Sequence, residues 1–248
     1  EIGKRLIEGA AKTCTRLSLE LGGNAPLLIF ADADLDKAVE GAIIAKFRNT
    51  GQSCVASNRI YVERSVFDAF VEKFVAATKA LKIGYGLEEG MDIGPLIDEA
   101  GCESTLRFVE DAKAKGARVL CGGTRGDGDG VFVTPAVLVD LSEDALCMSE
   151  EIFAPVAPVI PFDTEEEVVR LANDTEYGLA AYAFTSDLNR ALRLAEQLEA
   201  GTVGINESVP ATSNCPFGGF KQSGWGRELG TEGMEAYLET KHVSIGGV

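Results

Sequence analysis

Short apolar runs and amphipathic segments alternate along most of the chain. Apolar residues three and four positions apart predict helices at residues 1–10, 35–47, 67–81, 99–115, 165–173, 188–198 and 232–238. Apolar or alternating runs bounded by turn-forming residues predict extended segments at residues 16–21, 27–30, 59–62, 119–120, 132–141, 156–160, 179–184, 202–205 and 242–245. A connector rich in glycine and aspartate is predicted at 122–130. Strands that alternate with helices of this length predict an α/β fold, with a mostly parallel sheet covered by helices on both faces.

The helix predicted at 35–47 leads into a polar loop that carries Cys54. Gly51 suits the left-handed backbone that commonly follows a helix end. Cys54 is therefore predicted on loop backbone anchored by a packed helix, a position that holds a nucleophile still and leaves it reachable. The alternative is an inert core thiol, since free cysteine is usually buried. Polar neighbours such as Arg48 and Gln52 favour the chemical role.

Composition limits the classes of partner. The chain has 248 residues, enough for one large or two modest domains with a core, and its formal net charge is −16. This charge disfavours nucleic acid and anionic membranes as partners, because both would be repelled. A small molecule is the expected ligand.

No apolar run approaches the length of a membrane span and no signal-peptide pattern is present, so we expect a cytoplasmic protein. The six cysteines form no Cys-x-x-Cys pair, which argues against a zinc site and against a disulfide framework. The single histidine, His242, lies in the strand predicted near the C-terminus. No Gly-x-Gly-x-x-Gly or phosphate loop occurs, so no self-contained nucleotide-phosphate site is expected.

Two acidic residues are candidates for chemistry. Glu20 lies on the polar face of the strand predicted at 16–21, just before a glycine pair, which fits a general base. Glu151 precedes Phe153 by two residues, a combination that suits the hydroxyls of a ribose beside a flat ring. The alternatives are a solvated strand glutamate and a solvated acidic turn. The segment 215–228 is richer in glycine and aromatic residues than a structural loop requires.

Four segments resemble, in order and spacing, the aldehyde dehydrogenase superfamily: residues 19–24, 47–54, 151–153 and 216–219. The resemblance spans essentially the whole chain and is strongest to succinate-semialdehyde dehydrogenases, notably at 46–52, 94–98 and 217–224. It implies a thiol nucleophile at Cys54, a general base at Glu20, and NAD or NADP as cofactor. The implied cofactor contacts are Leu21, Gly22, Glu151 and Phe153.

The resemblance also implies a division of the chain. Residues 1–22 would be a remnant of the cofactor-binding domain, 23–217 the catalytic domain, and 218–248 a return segment with an oligomerisation tail. The first residues look like the end of the family's Gly-Ser-Thr-x-x-Gly turn, which implies that most of the dinucleotide-binding domain lies upstream. The strand predicted at 242–245 would extend a neighbouring subunit's sheet, which implies a homodimer or homotetramer.

For the substrate, Arg48 lies six residues before Cys54 and could hold a carboxylate through two hydrogen bonds. An arginine that only pairs with a neighbouring acid is the alternative. By the same resemblance, Ala211 occupies a position at which succinate-semialdehyde dehydrogenases share a serine. Thr212 or Ser213 could substitute for that serine. Phe217 is also assigned to the substrate site. Succinic semialdehyde is the first candidate.

The resulting hypothesis is oxidation of an aldehyde to an acid through a thiohemiacetal and a thioester on Cys54. Glu20 would then activate water, which separates this chemistry from that of relatives that pass the acyl group to coenzyme A. A useful thiolate fraction would need backbone N–H groups and nearby cations. The chain by itself is expected to be inactive. The alternatives are a non-catalytic packing or assembly piece and a cofactor-independent cysteine esterase using Cys54 and Glu20, which lacks a histidine to pair with the thiol.

Overall fold

A computed structural model describes residues 1–126 and 130–247. Part of the connector predicted at 122–130, residues 127–129, lies outside the described residues. The helices are α1 (Ile2–Ala11), α2 (Leu35–Phe47), α3 (Phe67–Ala80), α4 (Glu99–Ala114), α5 (Leu146–Ser149), α6 (Glu165–Asn173), α7 (Leu188–Gln197) and α8 (Gly230–Glu235). The strands are β1 (Leu19–Glu20), β2 (Ala25–Ile29), β3 (Ser57–Glu63), β4 (Arg118–Cys121), β5 (Ala136–Val139), β6 (Val156–Phe162), β7 (Tyr177–Gly178), β8 (Ala180–Phe184), β9 (Thr202–Ile205), β10 (Phe220–Lys221) and β11 (Gly224–Trp225).

Seven strands form the central sheet, in the order β4-β5-β6-β3-β2-β8-β9. Only the β4–β5 pair is antiparallel, and the other five pairs are parallel. Parallel neighbours need crossover connections, and the helices between strands provide them. The predicted α/β fold with a mostly parallel sheet is confirmed.

Helices cover both faces of the sheet, so its central strands are buried on both sides. On one face, α2 and α3 pack through stacked aromatic rings, with the Phe47 and Phe74 centroids 5.9 Å apart. On the other face, Val168 of α6 and Leu194 of α7 lie in a cluster with Leu28 of β2. No helix in the described ranges is long and apolar enough to cross a bilayer.

The two small antiparallel pairs lie outside the main sheet and join distant parts of the chain. In β1–β11, Leu19 pairs with Trp225 and Glu20 with Gly224. In β10–β7, Phe220 pairs with Gly178. These pairs return the C-terminal segment to the strand that carries Glu20. The division of the chain at residues 22 and 217 stays a prediction.

One predicted strand is shorter than expected, and a second is not formed within this chain. The strand expected at 16–21 is reduced to Leu19–Glu20. The β1–β11 ladder ends because the partner strand turns at Gly226, which has a φ of +86°. This turn brings Gly226 against Ser18, and a Cβ atom at Gly226 would overlap the Ser18 side chain. Residues 242–245 form no strand within this chain, where the described segment 241–247 is exposed and irregular. No strand among residues 1–126 and 130–247 pairs with this segment, so pairing with a second subunit stays a prediction.

Candidate active site

The loop that carries Cys54 is built on an unusual left-handed backbone. After α2, Asn49, Thr50 and Gly51 have φ values of 54°, 59° and 74°. The left-handed position predicted for Gly51 is confirmed, but two non-glycine residues share it at a cost in strain. Hydrogen bonds offset this cost, because the Asn49 side chain donates to the Gln52 carbonyl at 2.7 Å and the Thr50 hydroxyl donates to the Gly94 carbonyl at 3.1 Å.

Glycines let three segments meet at this loop. A Cβ atom at Gly51 would overlap the carbonyl oxygen of Ala154, so the loop that carries Cys54 packs directly on the segment that follows Glu151. A Cβ atom at Gly23 would overlap the carbonyl oxygen of Cys54. The Gly23 N–H also donates to Glu151 Oε1 at 3.0 Å. The turn after β1 therefore touches the backbone of Cys54 and holds the carboxylate of Glu151.

Replacing Gly23 by alanine is expected to disturb both contacts at once. The added methyl group would push against backbone that cannot rotate away, and overpacking of this kind costs about 1–3 kcal/mol of unfolding free energy. We expect a lower melting temperature and a changed rate of Cys54 alkylation by iodoacetamide. Gly9→Ala is the matched control, because a Cβ atom at Gly9 would meet nothing within 4 Å. Equal behaviour of both variants would contradict the close approach at Gly23.

The Cys54 thiol is half-buried in an acidic surrounding. Burial raises its pKa, and the nearby carboxylates of Glu151 and Glu20 raise it further, while the backbone N–H groups of Cys54 and Val55 oppose this rise. The backbone N–H groups expected from the sequence are present, but no cation is among the causes that act on the thiol. A thiol with a raised pKa is protonated at neutral pH, so a nucleophilic role for Cys54 would require a base that accepts its proton.

Glu20 has the properties of such a base. Burial raises its pKa to about 7, Glu228 adds to the rise, and Arg227 opposes it. Its Oε2 atom is buried and has no hydrogen-bond partner among the described residues. A carboxyl group with a pKa near the working pH can accept and return protons efficiently. Sequence reasoning did not identify Glu228 or Arg227, although it singled out the glycine-rich segment that contains them.

Glu151 and Phe153, the residues predicted to contact the cofactor, lie two positions apart in an irregular segment. At Gly22, a Cβ atom would come within 2.7 Å of Glu151 Oε2, so the glycine leaves room beside the carboxylate. The Phe153 side chain is 47% exposed on a backbone with φ of 47°, which presents a flat apolar ring. Leu21 is half-buried and fixed by its N–H, which donates to the Ser223 carbonyl at 3.0 Å.

The residues predicted to bind the substrate are not joined to one another by side-chain hydrogen bonds among the described residues. Arg48 is exposed and forms no ion pair or hydrogen bond through its side chain with the described residues. Thr212 and Ser213 are exposed, and Phe217 is half-buried in a backbone pair with Glu228. No side-chain hydrogen bond joins Arg48 to Thr212 or Ser213 within the described ranges. Their shared role in substrate binding stays a prediction.

The sequence of the whole chain decides the family. The model of the aldehyde dehydrogenase family matches residues 1–243. The chain belongs to the aldehyde dehydrogenase family. Among the residues that the structure describes, no group of three or more His, Cys, Asp or Glu side chains could hold a metal ion.

Curated and solved members of the aldehyde dehydrogenase family resemble the chain over nearly its full length. The glutarate-semialdehyde dehydrogenase of Pseudomonas putida is 52% identical over 245 residues, which cover 99% of this chain and 51% of that protein. The NADP(+) succinate-semialdehyde dehydrogenase of Escherichia coli K12 is 51% identical over 246 residues, which cover 99% of this chain and 51% of that protein. The NAD+ complex of the aldehyde dehydrogenase from Bacillus cereus has a TM-score of 0.94 at 40% identity, over 96% of this chain and 48% of that one.

The chain spans about half the length of the curated relatives that it matches. The expectations of an aldehyde dehydrogenase family member and of its fold are confirmed. The assignments of individual site residues in this family member stay predictions.

Proposed function

We propose that the complete protein that carries this chain oxidises an acidic semialdehyde to the corresponding carboxylate, with NAD or NADP as electron acceptor. The observation that carries the proposal is the junction at Gly23, which touches the Cys54 carbonyl and donates to Glu151 Oε1. A nucleophile and a cofactor-facing carboxylate thus share one turn, and this turn directly follows the strand of the base Glu20.

In the proposed reaction, Cys54 Sγ forms a bond to the aldehyde carbon while the thiol proton passes to Glu20. The aldehyde oxygen takes up negative charge, and the Cys54 backbone N–H can donate to it. NAD or NADP, when bound, supplies the two-electron oxidation that turns the thiohemiacetal on Cys54 into a thioester. Glu20, after releasing its first proton, takes one from water as the water oxygen attacks the thioester carbon. Cys54 leaves and recovers a proton.

The acceptor site is proposed at Glu151 and Phe153, with Leu21 and Gly22 beside them. The room beside Glu151 Oε2 and the exposed ring of Phe153 support this assignment. A carboxylate accepts hydrogen bonds from ribose hydroxyls, and the aromatic ring offers an apolar face to the nicotinamide. Neither residue discriminates NAD from NADP, because that choice depends on contacts to the adenosine ribose.

The direct test is cofactor reduction by the complete protein, followed by absorbance, with succinic or glutaric semialdehyde as substrate. Reduction of NAD or NADP is the expected result. No reduction with these semialdehydes or with a neutral aldehyde would contradict the proposal. The isolated chain is expected to give none, since it spans about half the length of its curated relatives.

We propose that Arg48 holds the far carboxylate of the substrate, with Thr212, Ser213 and Phe217 completing the site. Burial raises the pKa of Tyr182, and the exposed guanidinium of Arg48 lies close enough to oppose that rise. The Tyr182 hydroxyl donates to the Val55 carbonyl at 2.7 Å. Because Val55 directly follows Cys54, the influence of Arg48 on Tyr182 supports a location of Arg48 near the loop that carries Cys54.

Arg48→Ala is expected to raise KM for succinic semialdehyde about tenfold or more and to leave KM for butanal nearly unchanged, because only the first substrate offers a carboxylate. Steady-state kinetics of the complete protein with both aldehydes measures the difference. Equal changes for the two substrates would contradict a carboxylate-binding role.

The cysteine esterase is the weaker alternative. Burial and two carboxylates raise the pKa of the Cys54 thiol, and the single histidine, His242, is exposed in the C-terminal segment. An esterase would lack the imidazole that usually activates such a thiol.

We also propose that the complete protein is a cytoplasmic homodimer or homotetramer. The C-terminal segment offers exposed apolar side chains, Val243 and Ile245, that fit a strand on a second subunit. Light scattering should give a mass of two or four subunits, and a monomer would contradict the assembly.

A further inference from the structure

The Cys54 turn, residues 53–56, is tied to the central sheet through one buried tyrosine. Cys54 and Val55 are the two middle residues of this turn, which the Ala56 N–H closes by donating to the Ser53 carbonyl at 3.0 Å. The Tyr182 hydroxyl donates to the Val55 carbonyl at 2.7 Å. Tyr182 lies on β8, which pairs with β2 and β9 inside the sheet. A strand of the core therefore holds the residue that directly follows Cys54.

The ring of Tyr182 has little room to move. Only 1% of its surface is exposed, and it belongs to the buried cluster that includes Leu27 of β2 and Phe47 of α2. A Cβ atom at Gly204 of β9 would come within 3.1 Å of Tyr182 Cδ1, so the ring lies close against the backbone of the neighbouring strand. Because protein interiors are close-packed, the hydroxyl keeps its place and fixes the carbonyl that it contacts.

The Cys54 turn is held from two sides. On one side the Cys54 carbonyl lies against Gly23, and on the other the Val55 carbonyl accepts from Tyr182. The N–H groups of Cys54 and Val55 oppose the rise in the pKa of the thiol, and both belong to the middle of this turn. The two anchors therefore set the direction of the thiol and of the N–H groups beside it.

The Tyr182 hydroxyl is a constant donor. Burial raises the pKa of Tyr182 above its ordinary value, Cys54 adds to the rise, and Arg48 opposes it. A phenol with a raised pKa stays protonated throughout the neutral range, so it donates to Val55 at every working pH and takes no part in proton transfer.

We propose that Tyr182 is a positioning residue, whose hydroxyl holds the Cys54 turn so that the thiol and the Cys54 N–H face the aldehyde together. This inference rests on the proposed function, since it assumes that Cys54 attacks an aldehyde. Tyr182 acts only through the turn, because its own side chain is enclosed.

The test is Tyr182→Phe in the complete protein, a change that removes one oxygen atom and keeps the ring. We expect kcat with succinic or glutaric semialdehyde to fall about tenfold, since a misplaced reacting group lowers the rate. KM for the aldehyde and for the cofactor should stay nearly the same, because neither contacts Tyr182. Alkylation of Cys54 by iodoacetamide should also slow, since the N–H groups that favour the thiolate are less well directed.

Tyr61→Phe is the matched control. Tyr61 of β3 is 2% exposed, and its hydroxyl accepts from Arg59 Nη1 at 3.4 Å. It lies in the cluster with Leu28, on the other face of the sheet. Both variants lose a buried hydroxyl, so both should melt at a somewhat lower temperature. Tyr61→Phe should keep the kcat and the alkylation rate of the unchanged protein.

Four outcomes overturn the inference. Unchanged kcat and alkylation in Tyr182→Phe would show that the turn does not depend on the hydroxyl, and equal losses in both variants would show a general effect of stability. A raised KM with unchanged kcat would assign Tyr182 to substrate binding. The rise of turnover with pH through about 7, which Glu20 sets, should keep its midpoint in Tyr182→Phe, and a moved midpoint would assign Tyr182 to proton transfer.

The alkylation rate needs neither cofactor nor aldehyde, so it separates this inference from the proposed function. No cofactor reduction by the unchanged protein would contradict the proposed function, whereas slower alkylation of Tyr182→Phe would still support the anchor.

A measurement on the unchanged protein keeps the inference testable if Tyr182→Phe does not fold. In hydrogen exchange followed by mass spectrometry, the peptide that contains residues 53–56 should be protected, because the turn is fixed to the core. Exchange of this peptide at the rate of an unstructured chain would show that the turn is not anchored, and would overturn the inference.

Discussion

Cys54→Ser is expected to abolish aldehyde oxidation by the complete protein, with a loss on the order of 10⁴-fold or more. The serine hydroxyl is a far weaker nucleophile than a thiolate. The carboxylates that raise the pKa of the thiol at this position would also disfavour the anion of a serine hydroxyl. Steady-state cofactor reduction with succinic semialdehyde measures the loss. Cofactor binding by calorimetry should change little, since Glu151 and Phe153 are untouched.

Cys14→Ser is the matched control, because Cys14 is an exposed cysteine outside the junction at Gly23. It should retain full turnover. Substantial turnover in Cys54→Ser would assign the chemistry to another group.

Glu20→Gln is expected to lower steady-state turnover by about 10²–10⁴-fold, the usual contribution of a general base. The amide has the size of the carboxyl group but cannot accept a proton from water. In the unchanged protein, turnover should rise with pH through about 7, because the carboxyl group is ionised above its raised pKa. The variant should not show this rise of turnover with pH.

Glu8→Gln, which changes an exposed carboxylate of α1, is the control for general effects of lost charge. An unaltered rise near neutral pH in Glu20→Gln would show that another group titrates there, and that Glu20 is not the base.

The main elements of the fold could be predicted because local patterns and tertiary packing agree in the central sheet. The apolar spacing from Leu35 to Phe47 produces the predicted helix, and Gly51 takes the predicted left-handed backbone. The short β1 strand could not be predicted, since its length depends on where a partner about 200 residues later turns away at Gly226. The strand predicted at 242–245 has no partner in the described part of this chain, and its pairing with a second subunit stays a prediction.

The candidate site was predicted in part, through residues whose type and neighbours are unusual. Cys54, Glu20 and Glu151 were candidates from residue type and from the family resemblance, and their roles stay predictions; the turn at Gly23 touches two of them. The electrostatics could not be predicted, because the pKa of a side chain depends on burial and on residues distant in sequence. The effect of Glu228 on Glu20 follows from the return of the C-terminal segment.

The burial of Lys46 illustrates the same limit. In the sequence it is one lysine at the end of an amphipathic helix, where a cation is ordinary and usually solvated. In the structure Ala45, Lys46 and Phe47 are all buried at the end of α2, and the ammonium group is enclosed. The Lys46 Nζ atom has no hydrogen-bond partner among the described residues.

The central claim is that the substrate's acyl group is carried by Cys54 and released by Glu20. It is tested most directly by mass spectrometry of the complete Glu20→Gln protein, mixed with succinic semialdehyde and cofactor, quenched in acid and digested. Given time for a single turnover, the peptide that contains Cys54 should carry the added mass of one succinyl group, because the thiol proton can pass to solvent in the first step whereas hydrolysis of the thioester has lost its base. Cofactor reduction in the same sample with Cys54 unmodified, or with the acyl group on another residue, would contradict the mechanism.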